Sequence, residues 1–139
     1  MKKISTYFLL LFTISVILIS CTKEDETETG PVDARDKFVA AWACHENSNQ
    51  TVTNPVFTVN IILSTSNSTQ LLLENFYGLG SSNKAYATIS GDSLFIPAQT
   101  LAGNTVWGKG ALQGASTLKL NYSVDDGSIT DIVTATLTK

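Results

Sequence analysis

The chain has 139 residues, 43% of them hydrophobic and only 15% charged, with a formal net charge of -3. That length holds one domain and excludes a second core, and no cluster of Lys or Arg follows the first few residues, which excludes the phosphate-neutralising surface of a nucleic-acid binder. Thr, Ser and Asn take the share that charged residues usually hold, a mixture suited to strands and turns.

Lys2 and Lys3 open the chain, an apolar run follows from Tyr7 to Ile19, broken only by Thr13 and Ser15, and Ser20 precedes Cys21. A positive start, a short apolar stretch and a small residue make a secretory signal over residues 1–20. The run is shorter than the roughly 20 residues that cross a bilayer. Leu18-Ile19-Ser20-Cys21 resembles the lipobox of bacterial lipoproteins. The resemblance implies cleavage before Cys21, diacylglycerol on its thiol and an acyl chain on its new amino group. Each buried CH2 contributes about 0.8 kcal/mol, so two or more chains hold a protein stably on a membrane.

Residues 21–36 read as the lipidated cysteine and an acidic, disordered tether. Glu24, Asp25, Glu26, Glu28, Asp33 and Asp36 stand there against Lys23 and Arg35, and Gly30-Pro31 stops any helix. Such a segment spans about 20 Å on average, enough to lift a domain off the headgroups. Lys23-Glu24-Asp25-Glu26 also resembles the export signal that places Bacteroidetes lipoproteins on the outer face of the outer membrane, which implies display at the cell surface.

Residues 37–139 carry alternation with period two, the mark of half-buried strands. A first strand spans Phe38 to His45, and Phe57, Val59, Ile61 and Leu63 form one face of a second. Gln70 to Tyr77, Lys84 to Ser90, Ser93 to Gln99 and Thr105 to Gln113 are further candidates. Leu118, Leu120, Tyr122 and Val124 give the clearest face, and Ile129, Val133, Ala135 and Leu137 the last, with Asp131 as its exception. Gly- and Asn/Asp-bearing turns separate them at roughly 8 to 12 residues, among them Ser90-Gly91-Asp92-Ser93, Ala102-Gly103-Asn104 and Asp125-Asp126-Gly127-Ser128. Pro97 has no N–H to donate and predicts an edge or bulged strand, while Gly108 and Gly110 predict a sharp bend. The whole predicts an all-β, antiparallel up-and-down barrel of about eight short strands, closed because closure removes unpaired edges. One helical turn near Asp36 is the only helix expected.

Phe38-Val39-Ala40-Ala41-Trp42 resembles the opening of lipocalin-like barrels, a helical turn and then Gly-x-Trp, with Ala40 where the glycine would stand. The resemblance implies a lipocalin-like barrel closed at the bottom by Trp42. The span from Asp36 to Lys139, with Asn75-Phe76-Tyr77-Gly78-Leu79-Gly80, Leu94-Phe95-Ile96-Pro97-Ala98-Gln99 and Asp125-Asp126-Gly127, resembles a group of small uncharacterised Bacteroidetes lipoproteins. It implies a fold and a location and brings no activity.

No catalytic set assembles in the sequence. Cys44 and His45 are adjacent, so on a strand their side chains leave from opposite faces, and His45 is the chain's one histidine. Zinc wants three or four ligands, and Asp125, Asp126 and Asp131 match no calcium loop and read as turn residues. No metal and no cofactor are expected. Glu46, Glu74 and the late aspartates are the only carboxylates for a glycosidase-like pair, with nothing to place two across a cleft. Asp92-Ser93-Leu94 resembles a Bacteroidetes glycosylation site, although the hairpin alone explains it.

Trp107, with Phe76, Tyr77 or Tyr86, either faces outward to hold a sugar ring or apolar ligand, or fills the barrel. The expectation is a non-catalytic, surface-tethered module for a small apolar ligand, a glycan or an envelope partner. A structural or inhibitory interaction module is the alternative, and an envelope-polymer hydrolase a third. Cys21→Ser is expected to yield an unlipidated chain that a salt wash strips from the membrane fraction. Mass spectrometry of the mature N-terminus checks it, and a variant that stays bound with its signal removed contradicts the anchor.

Overall fold

Alternation in one strand sets the phase of the whole sheet. Leu118, Leu120, Tyr122 and Val124 are buried while Lys119 and Asn121 between them are exposed, because successive side chains of a strand leave from opposite faces. The computed structural model describes residues 32–51 and 54–139; the signal, the lipobox and the acidic stretch to Pro31 lie outside the described residues. Eight strands follow in order: β1 (Ala40–Ser48), β2 (Val56–Leu63), β3 (Gln70–Glu74), β4 (Lys84–Ser90), β5 (Ser93–Leu101), β6 (Asn104–Leu112), β7 (Thr117–Asp125) and β8 (Thr130–Thr138). Each pairs antiparallel with the next, and β1 pairs with β8 to close the barrel. The expected all-β, eight-stranded up-and-down barrel is what the chain forms.

One end is sealed by large apolar side chains. A 3-10 turn at Asp36–Phe38 leads into β1, and Phe38 and Trp42 have no exposed surface. The indole N–H of Trp42 donates to the Phe38 carbonyl at 2.8 Å, and the Lys139 ammonium stands 4.5 Å from the Trp42 ring centroid. Burying each such side chain contributes about 1.5–3 kcal/mol. Arg35 fastens the entry segment: Nε and Nη2 donate to the Asp33 carboxylate at 3.0 and 2.6 Å, and Nη1 donates to the Gln70 carbonyl at 2.8 Å. Asp33, Arg35 and Asp36, at the end of the acidic segment, thus belong to the folded unit, which begins at Val32.

Three local expectations change. β3 stops at Glu74, because Asn75 and Tyr77 take left-handed backbone (φ 59° and 56°) and turn Phe76 inward. Ile129 lies in the turn before β8 and is exposed, since its N–H is engaged by the Asp126 carboxylate at 2.9 Å. Gly108 and Gly110 make no break: they sit in unbroken register opposite Tyr122 and Leu120. A β-carbon at either would overlap the atoms of β7, so glycine there permits close approach of two strands.

Pro97 produces a bulge. Ile96 pairs with Gly108 and Gln99 with Val106, so Pro97 and Ala98 together oppose Trp107. The same departure shortens the seam with β4, which pairs with β5 only at Thr88–Phe95, Ile89–Leu94 and Ser90–Ser93. Gln99 bridges the remainder: its Oε1 accepts from the Tyr86 N–H, and its Nε2 donates to the Tyr86 carbonyl, both at 2.8 Å. A side-chain amide thereby stands in for a missing rung. Gln99→Ala should lower unfolding stability by about 1–3 kcal/mol, since it strips both partners from a partly buried peptide group. A shift in the denaturation midpoint at unchanged slope checks it.

Candidate functional site

At the end opposite Trp42 the interior turns polar. The inward phase of β1 runs Trp42, Cys44, Glu46, and that of β8 runs Asp131, Val133, Ala135, Leu137. Glu46 and Asp131 are therefore carried inside by the alternation that builds the core, and they retain 5% and 6% exposure. Buried carboxylates need hydrogen-bond donors. Tyr122 donates its hydroxyl to Glu46 Oε1, and the Cys44 thiol approaches the same oxygen at 3.9 Å. Asp131 Oδ1 accepts from Ser48 Oγ, and its Oδ2 from the Tyr77 hydroxyl, both at 2.7 Å. Ser48 Oγ in turn accepts from the N–H groups of Gln50 and Thr51 at 2.9 and 3.1 Å, so Asp131 helps hold the segment that follows β1.

Burial raises the Glu46 carboxyl above its ordinary range, and repulsion from Asp131 adds to this, against the lowering effect of the Tyr122 bond. Burial and the neighbouring Asp131 push the Tyr77 hydroxyl up to about 12. Tyr77 reaches Asp131 from a left-handed backbone, which costs a non-glycine residue roughly 1–2 kcal/mol. Strain of that kind persists only where the surroundings impose it. The Phe76 and Tyr77 rings pack on Tyr122, at centroid distances of 4.5 and 6.2 Å.

The other residues singled out in the sequence fall elsewhere. Cys44 is buried and His45 exposed on opposite faces of β1, and burial beside Glu46 pushes the thiol up to about 12. Glu74 pairs with Lys84 at 2.7 Å. Asp125 and Asp126 accept backbone N–H groups of their own hairpin, from Gly127, Ser128 and Ile129. Among the described residues no group of three or more His, Cys, Asp or Glu stands close enough to hold a metal. Trp107, Phe76, Tyr77 and Tyr86 do not converge. Phe76 is core and Tyr77 serves Asp131, while Trp107 on β6 and Tyr86 on β4 lie on the outer phase of their strands.

Trp107 stands instead among residues of neighbouring strands. Phe95, Ala98, Trp107 and Ile132 line a groove of about 470 Å³ on the outer face. Phe95, Trp107 and Ile132 are 56%, 37% and 58% exposed, unusual for large apolar side chains gathered in one place. Lys109, Asn121 and Ser123 border it, and none of their side chains is engaged by another described residue. The bulge at Pro97 and Ala98 faces Trp107 directly. Pro97 made the bulge legible in the sequence; Phe95 and Ile132 interrupt the alternation beside the inward Ile96 and Val133, but nothing local shows that they meet on one face.

Neither a protein-family model nor a curated protein matches this chain.

The raised Glu46 carboxyl has a consequence for stability. The folded chain holds this proton more tightly than the unfolded one, so stability falls as pH rises from Glu46's ordinary value of 4.5 through its raised value. Glu46→Gln should remove that slope and leave the melting temperature higher than wild type above the window. Melting curves across the acidic to neutral range check it, and an unchanged slope in the variant contradicts the assignment.

Proposed function

We propose that this chain is a non-catalytic binding module, tethered by lipids on Cys21 to the outer membrane and displayed at the cell surface, and that its outer groove takes a glycan. The observation that carries the reading is the composition of the groove. Phe95 and Trp107 offer aromatic surface, and Lys109, Asn121 and Ser123 offer unengaged donors and acceptors at its edge. A sugar ring has the matching form, with an apolar face for an aromatic ring and hydroxyls around it. The barrel interior between Trp42 and Tyr122 is occupied by its own side chains, which favours the outer face over an internal site for a small apolar ligand.

The exposure of Ile132 and Phe95, greater than that of Trp107, favours a second reading, an interaction module that docks an apolar segment of an envelope protein. A glycan array probed with the full chain separates them. Saturable binding to a defined glycan that Trp107→Ala weakens by about 2 kcal/mol, near thirtyfold, is the expected result. Binding to no glycan, or binding indifferent to Trp107→Ala and Asn121→Ala, contradicts it and leaves the partner module.

A further inference from the structure

Positive charge is sorted over the outside of the barrel. Arg35 is paired with Asp33, Lys37 with Asp92 and Lys84 with Glu74, while Lys139 donates to the Lys37 carbonyl beside Trp42. Lys109 and Lys119 remain, and no described carboxylate reaches either. Both stand on the outer phase of adjacent strands, β6 and β7.

Strand register lines these cations up with neutral polar groups. Phe95 is opposite Lys109, Lys109 opposite Asn121, Asn121 opposite Thr134 and Thr134 opposite Asn47, a single exposed row across five strands. Neighbouring strands lie about 4.8 Å apart, so the row is about 19 Å long. Beside it Lys119, Thr136 and His45 are opposite one another in turn. Lys119 Nζ donates to Thr136 Oγ1 at 2.6 Å, which holds the ammonium across β8 and leaves it two further donors.

The row joins two grooves. Asn121 lies in the wall of the aromatic groove and also of a second, of about 510 Å³, whose polar wall includes His45, Asn47, Lys119, Thr134 and Thr136. Glu46 is the one acid in that wall, and it belongs to the buried phase of β1, where Tyr122 donates to its carboxyl. The continuous surface thus has an aromatic end, a run of hydroxyls and amides, and two ammonium groups whose charge nothing on that face offsets.

That composition selects among glycans. Ammonium groups form their strongest hydrogen bonds with anions such as carboxylates, and opposite charge across an interface sets the choice of partner. Amides and hydroxyls outnumber the cations, which suits a chain made mostly of sugar hydroxyls with sparse single charges. A densely sulfated or phosphorylated polymer asks for a cluster of cations that this face lacks. We propose that the ligand is a uronate-bearing oligosaccharide laid along the row, one ring against Trp107 and Phe95 and its carboxylates at Lys109 and Lys119. The proposal rests on the reading of the outer groove as a glycan site and names what that site selects.

Calorimetric titration of the detergent-solubilised full chain tests it, with oligogalacturonate, oligoglucuronate and hyaluronan fragments, each beside its carboxyl-reduced neutral counterpart, and with dextran sulfate. Expected is saturable binding of at least one uronate that weakens with added salt and falls about tenfold or more on carboxyl reduction. Lys109→Gln and Lys119→Gln should each weaken that binding about threefold and together about tenfold, with circular dichroism unchanged. Equal binding of a uronate and its reduced form, a double variant that binds like wild type, or tighter binding of dextran sulfate than of any uronate overturns the proposal. Absence of uronate binding overturns it as well. The glycan reading itself survives those outcomes wherever a neutral glycan binds in a manner sensitive to Trp107→Ala, and falls with the proposal where no glycan binds.

Discussion

Closure of β1 onto β8 is the constraint on which everything else in this barrel rests. Once Cys44 is opposite Leu137 and Glu46 opposite Ala135, the inward phase of both strands is fixed and cannot slip by one residue without exposing the core. The same pairing leaves the described sheet with no open edge, the state in which strands stop recruiting other chains. It also carries two carboxylates into the interior, because alternation does not distinguish Leu from Glu or Asp.

The barrel answers that cost by segregating its two ends. Phe38, Trp42, Leu71, Leu118 and Leu137 fill the sealed end with apolar side chains, while Tyr77, Tyr122 and Ser48 supply hydroxyls where the carboxylates lie. A buried carboxylate without donors would cost several kcal/mol; here each receives at least one. The price appears instead in the backbone, where Tyr77 adopts left-handed geometry to bring its hydroxyl to Asp131. On the outer face, the bulge at Pro97 gives up ladder bonds between β4 and β5, recovers two through Gln99, and leaves Trp107 facing two residues instead of one.

Much of this was legible in the sequence, for definite reasons. Strands with a polar outer phase, such as β7, announce their faces, and glycine-bearing turns mark where they end. The sequence pattern from Lys84 to Ser90 coincides with the bounds of β4, and Pro97, which marks an edge or a bulge, stands at a bulge. The turn after β3 was not legible, because Phe76 and Tyr77 continue an apolar run and only the backbone at Asn75 ends the strand. The meeting of Glu46 with Asp131 was hidden for another reason. Extending the phase of Trp42 and Cys44 by two residues reaches Glu46, but that β1 lies beside β8 is a fact of register across the whole chain. Gln99 carried no signal at all, since nothing local shows that a side chain will replace a peptide group.

Cys44 brings this interior chemistry to bear on redox behaviour. With its thiol held near 12, the reactive thiolate is on the order of one part in 10⁵ at neutral pH, and burial keeps disulfides from reaching even that fraction. The folded barrel thus shields Cys44 from thiol–disulfide exchange. Only an opened chain presents the sulfur, so a covalent Cys44-linked dimer is a chemical record that the barrel had come apart.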